Sequence, residues 1–177
     1  MGEVREASPV RFFASVMYRD ETVPGRLHPV LVEAMGSIAD RTQPSAFTHS
    51  DYYNEEMGHG ILRCFLLFEP LESRGTMARI KLATNAIERS FMKDGRRTVN
   101  IDPGYLALEQ IVLATTKGYS HRLYLGNGIF GDLTLIYREG TYRGLEWTYP
   151  DYGSVETISL FNTWRETYRR DLRCRKA

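Results

Sequence analysis

Two stretches, Asn100-Ile-Asp-Pro-Gly-Tyr105 and Ala114-Thr-Thr-Lys-Gly-Tyr-Ser-His-Arg122, gather Asp, Thr, Lys, Ser, His and Arg side chains around two turn signals. The segments between and around them are apolar, and unlike polar groups collected at element ends are common material for a site. Asp102 and His121 are the candidate catalytic pair: an imidazole titrates near neutrality, and a carboxylate beside it makes it a general base. Thr116, Lys117 and Arg122 are candidate contacts for an anion, with Tyr105 and Trp147 as aromatic contacts to the same ligand. Plainer readings stand beside these. Asp102 suits a turn or helix cap, His121 a hydrogen-bonded core position, and Lys117 the C-terminal end of a helix, the wrong pole for anions. Arg122 paired with Asp132 on a sheet surface would stabilise by only ~0.2–1 kcal/mol.

A second cluster, His49-Ser-Asp-Tyr-Tyr-Asn-Glu-Glu-Met-Gly-His59, carries the right atoms for a divalent cation, with Asp51 and Glu55 as the candidate ligands. Its spacing matches no recognised metal motif, and a solvated acidic loop is the alternative. Tyr52, Tyr53 and Met57 nevertheless call for packing or a partner. A third cluster, Trp147-Thr-Tyr-Pro-Asp-Tyr152, offers aromatic rings for stacking on a base or sugar, or for sealing the last strand against the last helix. The chain contains no G-x-x-x-x-G-K-[ST], G-x-G-x-x-G, C-x-x-C or G-x-S-x-G pattern.

The elements that must position these groups are readable from periodicity. Val10–Tyr18 and Ile61–Phe68 are aromatic and β-branched strands, and His28–Ile38 is a short helix. Arg41–Gly60 is polar and turn-rich, with a short strand near Ala46–His49. Met77, Ile80, Ala83 or Thr84, Ile87 and Phe91 recur at helical spacing within Thr76–Lys93, stopped by Asp94-Gly95. Arg97–Ile101 reads as a strand, Asp102-Pro103-Gly104 as a type II turn, and Tyr105–Thr116 as a helix ended by Gly118. Ser120–Thr148 is a β-meander. A glycine-bulged loop at Gly126-Asn-Gly128 sets Leu125 opposite Ile129, Leu123 opposite Gly131, Tyr124 opposite Phe130 and Arg122 opposite Asp132. In that register His121, Leu123, Leu125 and Leu133 face the core, and the Arg122–Asp132 pair lies on the sheet surface. Ser154 caps a final helix whose Ile158, Phe161, Trp164, Tyr168 and Leu172 form a buried stripe.

The expected fold is therefore α+β: an N-terminal ferredoxin-like βαββαβ unit, extended by an antiparallel β-meander and a terminal helix. Residues 1–9 form a flexible N-terminus and 10–177 a single domain. The 177 residues are 42% hydrophobic, enough for a true core. A net charge of +1, from 23 basic and 22 acidic residues, gives no strong nucleic-acid signal and none for an anionic membrane. No apolar run approaches the ~18–20 residues that span a bilayer. The N-terminus lacks a secretory apolar region, and the two cysteines make no disulfide framework. The expected setting is cytoplasmic.

Six blocks, Asp51–Gly58, Arg97–Leu106, Ala114–Lys117, Ser120–Gly126, Leu133–Arg138 and Trp147–Tyr152, together resemble the bacterial domain-of-unknown-function family numbered 4416. The resemblance runs from about Val10 to Leu172. It implies a stand-alone bacterial cytoplasmic protein and supplies no catalytic residues. Some members carry a GTP-binding designation, for which the missing phosphate loop offers no physical support.

Two functions follow as expectations. In one, a small anionic ligand, phosphate- or nucleotide-like, is bound or processed near Asp102, Thr116, Lys117, His121 and Arg122, with a divalent cation at Asp51 and Glu55. In the other, the acidic Tyr-rich loop and the Trp147–Tyr152 wall form an adaptor surface for a protein partner.

Overall fold

The structure, a computed structural model, describes residues 2–50 and 53–175. Its order is β1 (Val10–Tyr18), α1 (Val23–Met35), β2 (Ile38–Arg41), β3 (Ser45–Ala46), α2 (Asn54–Met57) and β4 (Leu62–Glu72). A 3-10 turn, Arg74–Thr76, leads into α3 (Met77–Ser90). Then come β5 (Val99–Leu106), β6 (Gln110–Thr115), β7 (Arg122–Gly126), β8 (Ile129–Arg138), β9 (Thr141–Gly144) and α4 (Val155–Cys174). The fold is α+β, with a nine-stranded antiparallel sheet in the order β2-β4-β1-β5-β6-β8-β7; β3 also pairs with β4, and β9 with β8.

The sheet is buried on both faces, which is why its central strands read as unbroken apolar runs. Phe12, Ala14, Val16 and Tyr18 of β1 pack under α1 and α3, against Leu27, Leu31, Ile80 and Ile87. Phe13 turns the other way, into a second core with Phe65, Leu67 and the α4 stripe of Phe161, Trp164, Tyr168 and Leu172. A small third cluster, Met17, Met57 and Ile61 with Phe47 and Tyr53, lies under the loop that carries α2. Ser154 caps α4 as expected, its hydroxyl accepting from the Thr157 N–H. Helix α1 starts earlier than its apolar stripe suggested, because Pro24 fits the first helical turn, where no intrahelical N–H is needed.

Residues 105–116 are not helical. They complete β5 and form β6, joined by a tight hairpin in which the Ala107 N–H donates to the Gln110 carbonyl at 2.9 Å. Tyr105, Val112 and Ala114 enter the α1/α3 core, while Leu106, Ile111 and Leu113 enter the α4 core. Such a strand, apolar on both faces, imitates a helix over a short window. Asp102-Pro103-Gly104 is not a turn either: β5 runs straight through it. An added Cβ on Gly104 would stand 2.5 Å from Phe13 Cζ and 2.8 Å from the Val112 carbonyl oxygen, so the glycine answers a close approach of strands.

In the meander, Arg122, Leu123 and Tyr124 oppose Asp132, Gly131 and Phe130 as expected, but Gly126, not Leu125, stands opposite Ile129. Leu133 packs against the α1/α3 core as expected, but the two β7 leucines do not. Leu123 is 75% exposed and Leu125 is also exposed, both on β7 at the edge of the sheet. Arg122 and Asp132 are the buried pair, with 7% and 3% of their side chains exposed. The third strand ends at Gly144, after which Thr148 is folded back: its hydroxyl donates to the Thr134 carbonyl and accepts from the Leu145 N–H.

Candidate functional site

Strands β5 and β6 pair only over Gly104–Leu106 with Ile111–Leu113. Below Gly104 they part, and the outer edge of β5 faces no strand. The backbone groups exposed there are taken up by α3. Glu88 accepts the Ile101 N–H at 2.6 Å, and the Lys81 ammonium donates to the Ile101 carbonyl at 3.0 Å. Alternation along the strand points the nitrogen of Pro103 the same way. A residue with no N–H thus stands where no strand accepts one, and the split loses no ladder bond there.

The split opens into a cavity of about 680 Å³ lined by both sides of the sheet. On the β5 side, Lys81 Nζ is 3.3 Å from Asp102 Oδ1, Asn100 donates to Asp102 Oδ2 at 2.7 Å, and Arg97 donates to Asn100 Oδ1 at 2.8 Å. Arg97 also pairs with Glu56 at 2.5 Å and lies 3.7 Å from Glu88. Burial raises the pKa of Glu88, against the opposing pull of Lys81. The far wall is Thr115, Thr116, Lys117, Asp132 and Tyr149. Arg122 organises it from behind: it donates to Asp132 Oδ2 at 2.8 Å, to the Lys117 carbonyl at 2.9 Å and to the Tyr149 hydroxyl at 2.9 Å. A third wall carries Asp151, ion-paired to Arg63, and Tyr152. Arg89 reaches the rim from the last turn of α3.

Of the residues singled out from sequence, Asp102, Thr116 and Lys117 line this cavity. His121 meets Asp132, with its Nε2 3.4 Å from Oδ2, short of a well-formed hydrogen bond, and its ring stacks on Trp147 at 4.9 Å and 13°. Trp147 donates through Nε1 to the Leu133 carbonyl at 2.8 Å. His121, Trp147 and Arg122 therefore back the wall without lining the cavity. Tyr105 belongs to the α1/α3 core, edge-on to Phe12, with its hydroxyl accepting from Gln110 at 3.1 Å. Asp51 lies outside the described residues, and Glu55 is exposed on α2. Among the described residues no three His, Cys, Asp or Glu side chains are grouped to hold a metal ion.

Lys81 and Glu88 are not among the residues singled out from sequence, whereas Asn100 and Tyr152 lie in the first stretch and the third cluster named there. Lys81, Asn85 and Glu88 do recur at the four- and three-residue spacing of one helix face, bordering the apolar stripe. That spacing reads equally as a solvated face, and only the parting of β5 from β6 turns it toward a cavity.

The family model described as "Domain of unknown function (DUF4416)" matches residues 8–168. No curated protein and no solved structure matches the chain. Since the family model covers nearly the whole length, strands, helices and cavity walls alike, the chain belongs to the family DUF4416.

Proposed function

We propose that the cavity binds a small anionic ligand, phosphate- or nucleotide-like. The observation that carries this reading is the split itself. A continuous sheet would close the gap with backbone hydrogen bonds, yet α3 supplies a buried lysine and a buried glutamate to hold it open. Buried charge beside a void is costly to maintain, and its common use is a binding site. Asp102, Asp132 and Asp151 each have a cationic partner, which offsets those three wall carboxylates. Lys117 and Arg89 supply positive charge around the rim, and Tyr53 and Tyr149 supply rings for a base or sugar. In this reading Lys117 and Arg89 meet the anion, Asp102 takes a polar group of the ligand, and His121 with Arg122 holds Asp132 and the Lys117 segment in place.

The test is a thermal-shift screen with inorganic phosphate, ribose 5-phosphate and nucleoside monophosphates. A probe at 100 times its dissociation constant stabilises by about 2.7 kcal/mol, which at roughly 2–4 °C per kcal/mol is a clear rise in Tm. Lys117→Ala and Arg89→Ala should remove it. A flat panel overturns the reading.

A second reading, a surface for a protein partner, is favoured by one observation: Tyr119, Leu123, Tyr124 and Leu125 are exposed together at the β7 edge of the sheet. A flat ligand panel combined with loss of self- or partner association in Leu123→Asp would favour it.

We also infer a ferredoxin-like unit in β1, α1, β2, β4, α3 and β5, which the antiparallel order β2-β4-β1-β5 supports. A bacterial cytoplasmic setting is part of the same proposal; the family resemblance and the two free cysteines, Cys64 and Cys174, support it. No helix among the described residues is long and apolar enough to cross a membrane.

A further inference from the structure

At the cavity's inner end stands Tyr152, only 5% exposed. Its ring is held within the α4 core: stacked on Phe161 at 6.2 Å and 13°, edge-on to Phe65 at 5.7 Å, with the Arg63 guanidinium 6.0 Å from its centre. The hydroxyl carried by this immobile ring has no hydrogen-bond partner. Ser15, which stands opposite Asp102 on β1, lies near it without completing a bond of good geometry, and the Asp102 carboxylate is close enough to act on its charge. Burial holds the phenol far above its ordinary pKa, so it is a protonated donor throughout the neutral range. A buried donor left unpaired costs the native protein ~1–3 kcal/mol, which a ligand acceptor recovers. A hydroxyl needed only for packing would have been dispensable, since phenylalanine fills the same space.

We propose that Tyr152 is a specificity residue that donates a hydrogen bond to the end of the ligand remote from its anionic group. The ligand class is then a phosphomonoester carrying a sugar hydroxyl or a base carbonyl at its far end, with Asp102 beside Tyr152 to accept a hydrogen bond where that end is a hydroxyl. This rests on the anion-binding reading of the cavity. It adds a direction to it: phosphate toward Lys117 and Arg89, the hydrogen-bonding end toward Tyr152.

The test compares wild type with Tyr152→Phe by calorimetry against three probes: inorganic phosphate, ribose 5-phosphate and guanosine monophosphate. Loss of one donor to a buried acceptor should weaken one or both of the longer probes by about tenfold, while inorganic phosphate binds both proteins equally. Loss confined to ribose 5-phosphate and guanosine monophosphate together points to the sugar, and loss for guanosine monophosphate alone to the base. Equal affinities of wild type and variant for every probe overturn the role of Tyr152 and leave the anion site standing. Equal weakening of all three, phosphate included, overturns it as a specificity role. Failure of all three to bind wild type overturns the anion site and this inference together. A ligand-free measurement stands apart from these: with no partner to lose, Tyr152→Phe should melt at or above the wild-type temperature. A drop of several degrees would mean that the hydroxyl is bonded within the protein, and the proposal fails.

Discussion

The carboxylate of Glu88 accepts the backbone N–H of Ile101 at 2.6 Å, doing for β5 what a neighbouring strand would otherwise do. With Lys81 on the carbonyl of the same residue, two turns of α3 complete the edge of β5 where the sheet opens into the cavity. Removing that acceptor leaves a buried N–H unpaired. Glu88→Ala should therefore destabilise by roughly 2 kcal/mol, read as a Tm lower by several degrees. Glu88→Gln keeps a carbonyl oxygen in reach and should lose much less at low pH. If the two variants melt together at pH 4, the Ile101 contact contributes nothing.

The same residue gives stability a pH dependence with a definite sign. Burial lifts the Glu88 pKa above its ordinary 4.5, with Lys81 pulling the other way. The native state then holds this proton more tightly than the unfolded chain. Its contribution is largest below the unfolded value and is lost as pH rises through the folded value. Glu88→Gln has no such loss, so its Tm should gain on the wild type between about pH 4 and pH 7. Parallel Tm curves over that range would rule this out.

Much of the architecture was visible in the sequence because its signals were local. The stripe of α4, the stripe of α3 and the aromatic runs of β1 and β4 each declare a period and a buried face. The errors cluster where the deciding cause is distant. Pro103 and Gly104 spell a turn, yet Pro103 sits where β5 has lost its neighbour and Gly104 where Phe13 crosses close by. Leu123 and Leu125 promise a core, but they stand exposed on β7, the edge strand of the sheet. The candidate site divides the same way. Asp102, Thr116 and Lys117 stand out by composition and Tyr152 by its aromatic cluster, whereas Lys81 and Glu88 acquire meaning only from the split.

Gly104 itself can be tested. A methyl group there would stand 2.5 Å from the Phe13 ring and 2.8 Å from a backbone oxygen that has little freedom to retreat. Gly104→Ala should cost about 1–3 kcal/mol by overpacking. Thermal denaturation reads this directly, and an unchanged Tm would show that β6 yields more easily than a packed central strand should.

The two thiols should differ sharply. Cys64 is buried, and burial pushes its thiol up to about 11, so little thiolate exists near neutrality. Cys174 is exposed at the end of α4. Since the thiolate is the reacting form, a disulfide reagent at pH 8 should modify one thiol per native chain, and none in Cys174→Ser. Two fast thiols in the native protein would overturn this.

Arg122 and Asp132 bear on both stability and binding. Their side chains are 7% and 3% exposed, and Arg122 also ties the Lys117 carbonyl and the Tyr149 hydroxyl to the cavity wall. Removing one member of a buried pair strands the other's charge, so Arg122→Ala and Asp132→Ala should each cost about 3–5 kcal/mol. The double variant should cost clearly less than the sum, since it strands nothing. Denaturant titration of the four proteins measures that difference. Strict additivity would mean the two charges are solvated independently, and Arg122 would then have no hold on the wall. If the coupling is present, Arg122→Lys separates its two roles. A lysine keeps the charge beside Asp132 but cannot reach three acceptors with one planar fork. Stability should return in part, while the shift produced by a nucleoside monophosphate should not.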